Sequence, residues 1–247
     1  MPDLSRAWGA GRAQFTTTHW TVILAAGEKE TPYSVAALEA LCRTYWQPLY
    51  GYIRQRGYSP PDAQDLTQAY FARVLERDFL RGVDRSKGKF RSFLLATLDH
   101  FLANEWRNGH TQKRGGRFSF VSLEDTLAEQ QYCEMAAAGL SPEQLFERQW
   151  ATTLLERVLG RLHDEFVASG RETLFEEIKI FLTGEKQTVS YATLAAGLGT
   201  TVAGLKMAVS RMRHRYGELV REEIAATVAS PEEIDGELQA MFSALSL

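Results

Sequence analysis

The sequence has few cysteines and no long apolar run. Its 247 residues include two cysteines, Cys42 and Cys133, far apart and without Cys-x-x-Cys spacing. That pattern gives no indication of a disulfide framework or a cysteine-ligated zinc site. No apolar stretch approaches the roughly 18 residues of a membrane span, and no signal-peptide-like segment opens the chain. We therefore expect a cytoplasmic protein with reduced thiols, no cofactor and no membrane partner.

The chain also has only a small excess of charge of one sign. The formal net charge of -3 at pH 7 argues against a uniformly basic coat, but it permits basic segments balanced by acidic ones. Hydrophobic residues make up 45% of the chain, enough to bury one large core or two small ones. Local clusters of charge are therefore more informative than the total.

Helical periodicity dominates the chain and predicts an all-α fold, because no alternating run is bounded by hairpin signals. Serine-proline pairs at Ser59-Pro60, Ser141-Pro142 and Ser230-Pro231 predict three helix starts. A glycine-containing basic stretch near residues 108–140 predicts a flexible linker between two helical domains. The predicted helices cover 19–27, 33–56 with a break near Pro48, 60–77, 89–107, 142–168, 171–183, 190–197, 201–223 and 231–246.

A helix-turn-helix pattern lies in the C-terminal half. Gly199 supplies the tight turn and Thr200 or Thr201 can cap the second helix. The residues predicted to form the shared core of the two helices are Leu194, Leu198, Val202, Leu205 and Val209. The basic residues that follow suit the DNA major groove, although an α-hairpin with a solvated charged face would give the same pattern. They are Lys206, Arg211, Arg213, His214 and Arg215.

A second basic segment lies in the N-terminal half, where cations beside aromatic residues fit single-stranded DNA. The cations Arg85, Lys87, Lys89 and Arg91 could hold a nucleic-acid backbone. The aromatic residues have helical spacing, so each is expected in the core rather than on a stacking surface. They are Phe90, Phe93, Phe101 and Trp106.

Together these segments resemble the extracytoplasmic-function group of the sigma-70 family, the small bacterial sigma factors. The family's region four pattern of Ile-Ala, Leu-Gly, Val-Lys and Ser-Arg has counterparts here in Leu194-Ala195, Leu198-Gly199, Leu205-Lys206 and Ser210-Arg211. The family's polymerase-binding pattern, Asp-Ala-Glu-Asp-Leu-Val-Gln-Glu-Val-Phe, is similar to residues 62–71. The resemblance covers most of the chain.

The resemblance implies four parts and no enzymatic activity. Residues 15–108 would form a region two-like domain, 109–140 the linker, 141–228 a region four-like domain and 229–247 a helical extension. Region two would bind the clamp of core RNA polymerase and the melted -10 element of promoter DNA. Region four would bind the -35 element as duplex, beside the polymerase flap. An anti-sigma factor is a further possible partner.

The resemblance also implies the residues of each surface. Those expected at the -35 element are Thr200, Thr201, Lys206, Ser210, Arg211, Arg213 and Arg215. Those expected at the -10 element are Arg85, Lys87, Lys89, Arg91, Asn104 and Arg107. Those expected at the polymerase are Asp62, Asp65, Gln68 and Phe71.

The polymerase-binding segment departs from the family pattern, since Gln64 and Ala69 stand where glutamates are usual. Losing two carboxylates should weaken binding to a basic surface. Phosphorylation of Thr67 would add about -1.5 to -2 charge at neutral pH. We therefore expect that a Ser/Thr protein kinase could activate the chain at Thr67, unless Thr67 is a neutral residue and the remaining acids suffice.

Two other interpretations remain open. A conventional helix-turn-helix regulator would bind duplex operator DNA without polymerase. An enzyme would need a defensible catalytic cluster, and the acidic residues Glu172, Glu176 and Glu177 near His163 fit solvated helix faces better. The apolar side of the C-terminal extension needs a partner, which is either the region four-like half or the region two-like half.

Overall fold

Helices dominate the residues that the computed structural model describes, which are 32–74, 83, 88–109, 129–130, 132–133, 135–136, 139–182 and 190–247. No strand occurs among them, so the all-α class is confirmed. The predicted helix 19–27 lies outside this part of the chain. The helices described are α1 Pro32–Gln55, α2 Pro60–Val74, α3 Phe90–Gly109, α4 Pro142–Ala168, α5 Glu172–Ile178, α6 Tyr191–Gly197, α7 Val202–Ala225 and α8 Ile234–Leu245, with 3-10 turns at Lys179–Phe181 and Pro231–Glu233.

Serine caps explain why two of these helices begin where the sequence predicts. At α4, the Gln144 amide donates to Ser141 Oγ at 3.2 Å, and the Ser141 amide donates to Gln144 Oε1 at 2.9 Å. This reciprocal pair satisfies two amides that the first helical turn would otherwise leave unbonded. At α2, the Asp62 amide donates to Ser59 Oγ at 3.3 Å. The third predicted start begins instead with the 3-10 turn, without a side-chain cap from Ser230.

The predicted break near Pro48 is wrong, because α1 continues through this residue. Proline removes one backbone hydrogen bond from a helix interior. Here the helix is held on either side of Pro48 by fully buried side chains, including Tyr45, Leu49 and Tyr52. Packing against the rest of the protein therefore outweighs the local penalty.

Helix α4 packs along α1 and joins the two predicted domains in one hydrophobic cluster. The rings of Tyr52 and Phe146 meet edge to face with centroids 6.5 Å apart. Helix α1 carries a glycine where α4 lies against it, since a Cβ added at Gly51 would meet the side-chain amide of the buried Gln149. A larger residue at position 51 would force this amide to shift. The division of the chain into domains stays a prediction.

Part of the predicted linker is attached to α1. Arg54 donates to the Glu129 carboxylate through Nε at 2.9 Å and Nη2 at 2.8 Å, and the Tyr50 hydroxyl donates to the same carboxylate. The Arg54 guanidinium also lies 4.7 Å from the centre of the Tyr132 ring. Most of the predicted linker, including residues 110–128, lies outside the described part of the chain.

A buried carboxylate joins α4 to α7. Glu223 is fully buried on α7 and accepts from Arg161 of α4 at 2.5 Å, while Glu222 accepts from the same guanidinium at 2.9 Å. Burial raises the pKa of Glu223 above its ordinary value, although Arg161 and Arg157 oppose this shift. The folded chain therefore binds a proton at Glu223 more tightly than the unfolded chain does.

We compare the free energy of unfolding of wild type with that of Glu223→Gln. We expect the wild-type value to fall relative to the variant value as pH rises from about 4 towards 7. The unfolded glutamate titrates near pH 4.3, and a raised folded pKa lowers stability above that value. Urea unfolding of both proteins across this pH range measures the difference. A difference that does not change with pH would contradict the prediction. Comparing the two proteins cancels the contributions of the other carboxylates.

The described residues contain neither a clear membrane span nor a metal-binding cluster. No single helix there is long and apolar enough to cross a membrane, although α6 and α7 pass the same test as a bent pair. No group of three or more histidine, cysteine or carboxylate side chains there could hold a metal ion.

Candidate nucleic-acid interface

The helix-turn-helix pattern folds into two helices, α6 and α7, that meet at 98°. Gly199 lies between them with φ +62°, a backbone conformation that favours glycine. Thr201 caps α7 by accepting from the Gly204 amide at 3.0 Å, and Ser190 caps α6 by accepting from the Thr193 amide at 3.2 Å. The predicted glycine turn and the threonine cap are therefore confirmed.

Most of the apolar residues predicted for this unit lie in its core. Leu194, Leu205 and Val209 are buried, and Leu198 is half-buried. Val202 is an exception with 39% exposure, so its predicted core position is wrong. Val202 is the first residue of α7, and its side chain lies on the solvent-facing side of the helix.

The residues predicted at the -35 element separate into two groups. Thr200, Lys206, Ser210 and Arg211 are exposed, with Thr200 just before the helix and the other three on one side of α7. Lys206 and Ser210 are four residues apart and so are neighbours on the helix surface, as are Met207 and Arg211. Met207 shares this surface with 60% exposure, and the sequence interpretation missed it. Methionine adapts to irregular surfaces, so the hydrophobic contribution is compatible with a binding face.

Arg213 and Arg215 are bound within the protein. Arg213 donates to the Phe181 carbonyl through Nε at 3.1 Å and Nη2 at 2.8 Å. Arg215 donates to the Glu165 carboxylate at 2.9 and 2.7 Å and to Glu218 at 2.9 Å. Both were predicted to contact DNA. In this structure they instead connect α7 to the preceding elements.

In the Arg215–Glu165 ion pair, each charged group shifts the pKa of its partner. Hydrogen bonds with Glu165 and Glu218 raise the pKa of Arg215 above its ordinary value. The same bond to Arg215 lowers the pKa of Glu165. Release of Arg215 to a DNA phosphate would therefore leave carboxylates that have lost their partner. Of the four basic -35 candidates, Lys206 and Arg211 are therefore the open ones.

The residues predicted at the -10 element also separate into exposed residues and residues that are paired within the protein. Arg85 and Lys87 lie outside the described residues. Asn104 and Arg107 are exposed in the last turns of α3. Lys89 and Arg91 contact the C-terminal helix α8, since Lys89 Nζ lies 2.5 Å from Glu237 Oε2 and Arg91 also pairs with Glu237. The prediction that Arg91 is open to DNA is wrong for this arrangement, because its side chain is 4% exposed.

Arg91 is held on three sides. Its guanidinium lies 4.1 Å from the centre of the Trp150 ring, and its Nε donates to the Glu147 carboxylate at 2.8 and 3.0 Å. Burial alone would lower the pKa of Arg91, but Glu237 and Glu147 raise it above its ordinary value. Burial alone would also raise the pKa of Glu237, yet Arg91 and Lys89 lower it. The ion pairs outweigh desolvation at both groups.

The aromatic residues of α3 differ in their positions. Phe90 and Phe101 are buried and Phe93 is half-buried, which confirms a packing role. Trp106 has 64% exposure, so its predicted core position is wrong. Helical spacing predicted a core position for Trp106, but residues 103–107 are all exposed at this end of α3.

Trp106 borders a shallow groove of about 420 Å³. The groove combines two aromatic rings, two guanidinium groups and one carboxylate. Such a combination can stack a base and hold a phosphate. Arg56 and Asp99 form an ion pair at its edge. The residues that line the groove are Arg56, Tyr58, Asp99, Leu102, Ala103, Trp106 and Arg107.

The α2 helix presents part of its predicted polymerase surface. Asp62 and Asp65 are exposed and Gln68 is partly exposed. Phe71 is 5% exposed and stacks on Trp46 with ring centroids 5.7 Å apart, so it supports α2 from the core. Its predicted role as a contact residue is wrong in this arrangement.

Thr67 is also in the core. Its side chain is fully buried and its hydroxyl donates to the Ala63 carbonyl at 2.7 Å. Thr67 is therefore closed to solvent in this structure. A kinase could reach this hydroxyl only after α2 leaves its packed position. Phosphorylation of Thr67 thus remains a prediction that requires such a movement.

No protein-family model, curated protein or solved structure significantly matches the chain. The chemistry of the protein surfaces is therefore the guide to function. Three of them carry chemistry suited to macromolecules: the outer side of α7, the groove beside Trp106, and the acidic positions of α2.

Proposed function

We propose that the chain is a sigma factor of the extracytoplasmic-function type, which binds core RNA polymerase and directs promoter-specific initiation. The observation that carries the proposal is the α6–α7 unit. Its second helix is capped at Thr201 and presents Lys206, Ser210 and Arg211 outward. Helices that meet at about 90–120° across a short turn can place the second helix in a DNA major groove.

The N-terminal half supports a polymerase subunit over a duplex-binding regulator. The groove beside Trp106 suits an unpaired base better than a base pair, because stacking needs an exposed base face. Asp62 and Asp65 provide a small acidic surface on α2. A sigma factor uses all three surfaces, whereas an operator-binding regulator needs only the first.

The alternative is a conventional helix-turn-helix regulator of duplex DNA, for which the α6–α7 unit alone would be enough. The two functions differ in their need for polymerase. A regulator binds its operator alone. A sigma factor gives defined transcript starts only with core polymerase. The partners suggested by family resemblance, a Ser/Thr kinase and an anti-sigma factor, are additional proposals.

Reconstituted transcription tests the proposed function. The purified chain and core polymerase are incubated with fragmented genomic DNA, and the transcript starts are sequenced. We expect starts that depend on the chain and share two upstream elements. Arg211→Ala should reduce initiation about 10- to 100-fold, since a guanine contact contributes about 1–3 kcal/mol.

Arg221→Ala is the matched control. Arg221 is exposed on the same helix, but it pairs with Asp235 at 2.5 Å. Its loss should leave initiation unchanged. Defined duplex binding without polymerase, together with no chain-dependent starts, would replace the sigma-factor proposal with the regulator. Equal loss in both variants would show that general positive charge, rather than the outer side of α7, matters.

A further inference from the structure

The C-terminal helix α8 contacts both predicted halves of the chain. It packs on α4 and α7, where Met241 and Ala244 are buried. The same helix extends Glu237 to Lys89 and Arg91, at the start of α3. Both alternatives for the extension therefore occur together. An apolar side fixes α8 to the C-terminal half, and a carboxylate reaches the N-terminal half.

Two carboxylates from the C-terminal half surround one guanidinium from the N-terminal half. Glu147 of α4 and Glu237 of α8 both pair with Arg91, and Glu237 also pairs with Lys89. The Glu237 side chain is 1% exposed, so water screens these pairs little. Carboxylate and phosphate oxygens bind guanidinium groups in the same geometry. The two glutamates thus make the kind of contact with Arg91 that a phosphate could make.

We propose that Glu147 and Glu237 form an autoinhibitory lock that keeps Lys89 and Arg91 from single-stranded promoter DNA in the free chain. The inference rests on the proposed function for its biological ligand. Opening requires α4 and α8 to move away from the start of α3. Only the open form binds DNA. The apparent affinity is therefore the affinity of the open form multiplied by the fraction of chains that are open.

Single-stranded DNA binding by the free chain tests the lock. Wild type, Glu147→Gln, Glu237→Gln and the double variant are titrated into a labelled mixed-sequence oligonucleotide at fixed salt. If the closed form accounts for about 90–99% of the free chain, opening raises the apparent affinity about 10- to 100-fold. Glu147 has 33% side-chain exposure, so Glu147→Gln remains informative if Glu237→Gln does not fold.

Asp235→Asn is the matched control. Asp235 lies on α8 beside Glu237, is exposed, and pairs with Arg221 rather than with a -10 candidate. The substitution makes the same change in net charge. Tighter binding in the glutamate variants alone supports the lock. An equal gain in Asp235→Asn, or no gain in the folded glutamate variants, overturns it.

Hydrogen exchange of wild type gives a readout that needs no substitution. Saturation with the oligonucleotide should speed amide exchange across residues 234–245, because DNA and α8 would compete for the same cations. Bound DNA with unchanged exchange there would overturn the lock. The transcription experiment tests the proposed function separately. If the binding results support the lock but no transcript starts depend on the chain, the lock is kept and the sigma-factor proposal is rejected.

Discussion

Replacing Trp150 with alanine is expected to lower the free energy of unfolding by about 3–5 kcal/mol, the usual cost of removing a large aromatic side chain from a core. Trp150 is 2% exposed on α4, where that helix faces α1. The substitution also removes the ring beneath the Arg91 guanidinium. Chemical denaturation followed by circular dichroism measures the loss.

Trp106→Ala provides the contrast within the same protein. Trp106 has 64% exposure, so its removal should change the free energy of unfolding by no more than about 0.5 kcal/mol. The same substitution removes the ring of the proposed stacking groove. Comparable destabilisation by both substitutions would contradict the arrangement of α4 against α1. A stable Trp150→Ala protein would contradict it as well.

Local signals predicted the helices well because their causes are local. Ser141 and Gln144 form a capping box within four residues, and α4 begins and ends where the pattern placed it. Gly199 and Thr201 define the turn between α6 and α7 in the same way. Pro48 shows the limit of such signals. Its effect on α1 depends on the packing of distant side chains, which no local pattern records.

Residues expected at surfaces were harder to assign, because exposure depends on partners distant in sequence. Arg91 and Arg213 were expected to contact DNA as basic residues. Glu237 lies 146 residues from Arg91, and the Phe181 carbonyl lies 32 residues from Arg213. Trp106 shows the opposite error. Its helical spacing indicated a core, but its side chain is 64% exposed at the end of α3.

The closed arrangement connects the stability of the chain to its proposed function. Trp150, Glu147 and Glu237 stabilise the packed form and at the same time surround Arg91. Removing one member of a buried ion pair leaves an uncompensated charge, which is costly. Any ligand that opens the chain must therefore replace these contacts with comparable ones. A polyanion that supplies phosphates to Lys89 and Arg91 meets this requirement.

Thr67→Glu is expected to lower the free energy of unfolding by several kcal/mol. The side chain at this position is fully buried, and the substitution adds both volume and a carboxylate with no cationic partner. Thr67→Val keeps the shape and should cost less than about 1 kcal/mol. The only hydrogen bond recorded for the hydroxyl in the described residues goes to Ala63, four residues earlier, and this carbonyl remains in a helix.

Gln64→Glu distinguishes added charge from disturbed packing. Gln64 is partly exposed on the same helix, so a carboxylate there restores the charge of the family pattern without entering the core. We expect Gln64→Glu to strengthen binding to core polymerase with unchanged stability, measured by labelled-protein titration and urea unfolding. If Thr67→Glu instead binds polymerase more tightly and stays folded, α2 must leave its packed position, and the expected phosphorylation switch at Thr67 gains its mechanism. If Thr67→Glu unfolds while Gln64→Glu binds more tightly, charge on the open side of α2 controls polymerase binding.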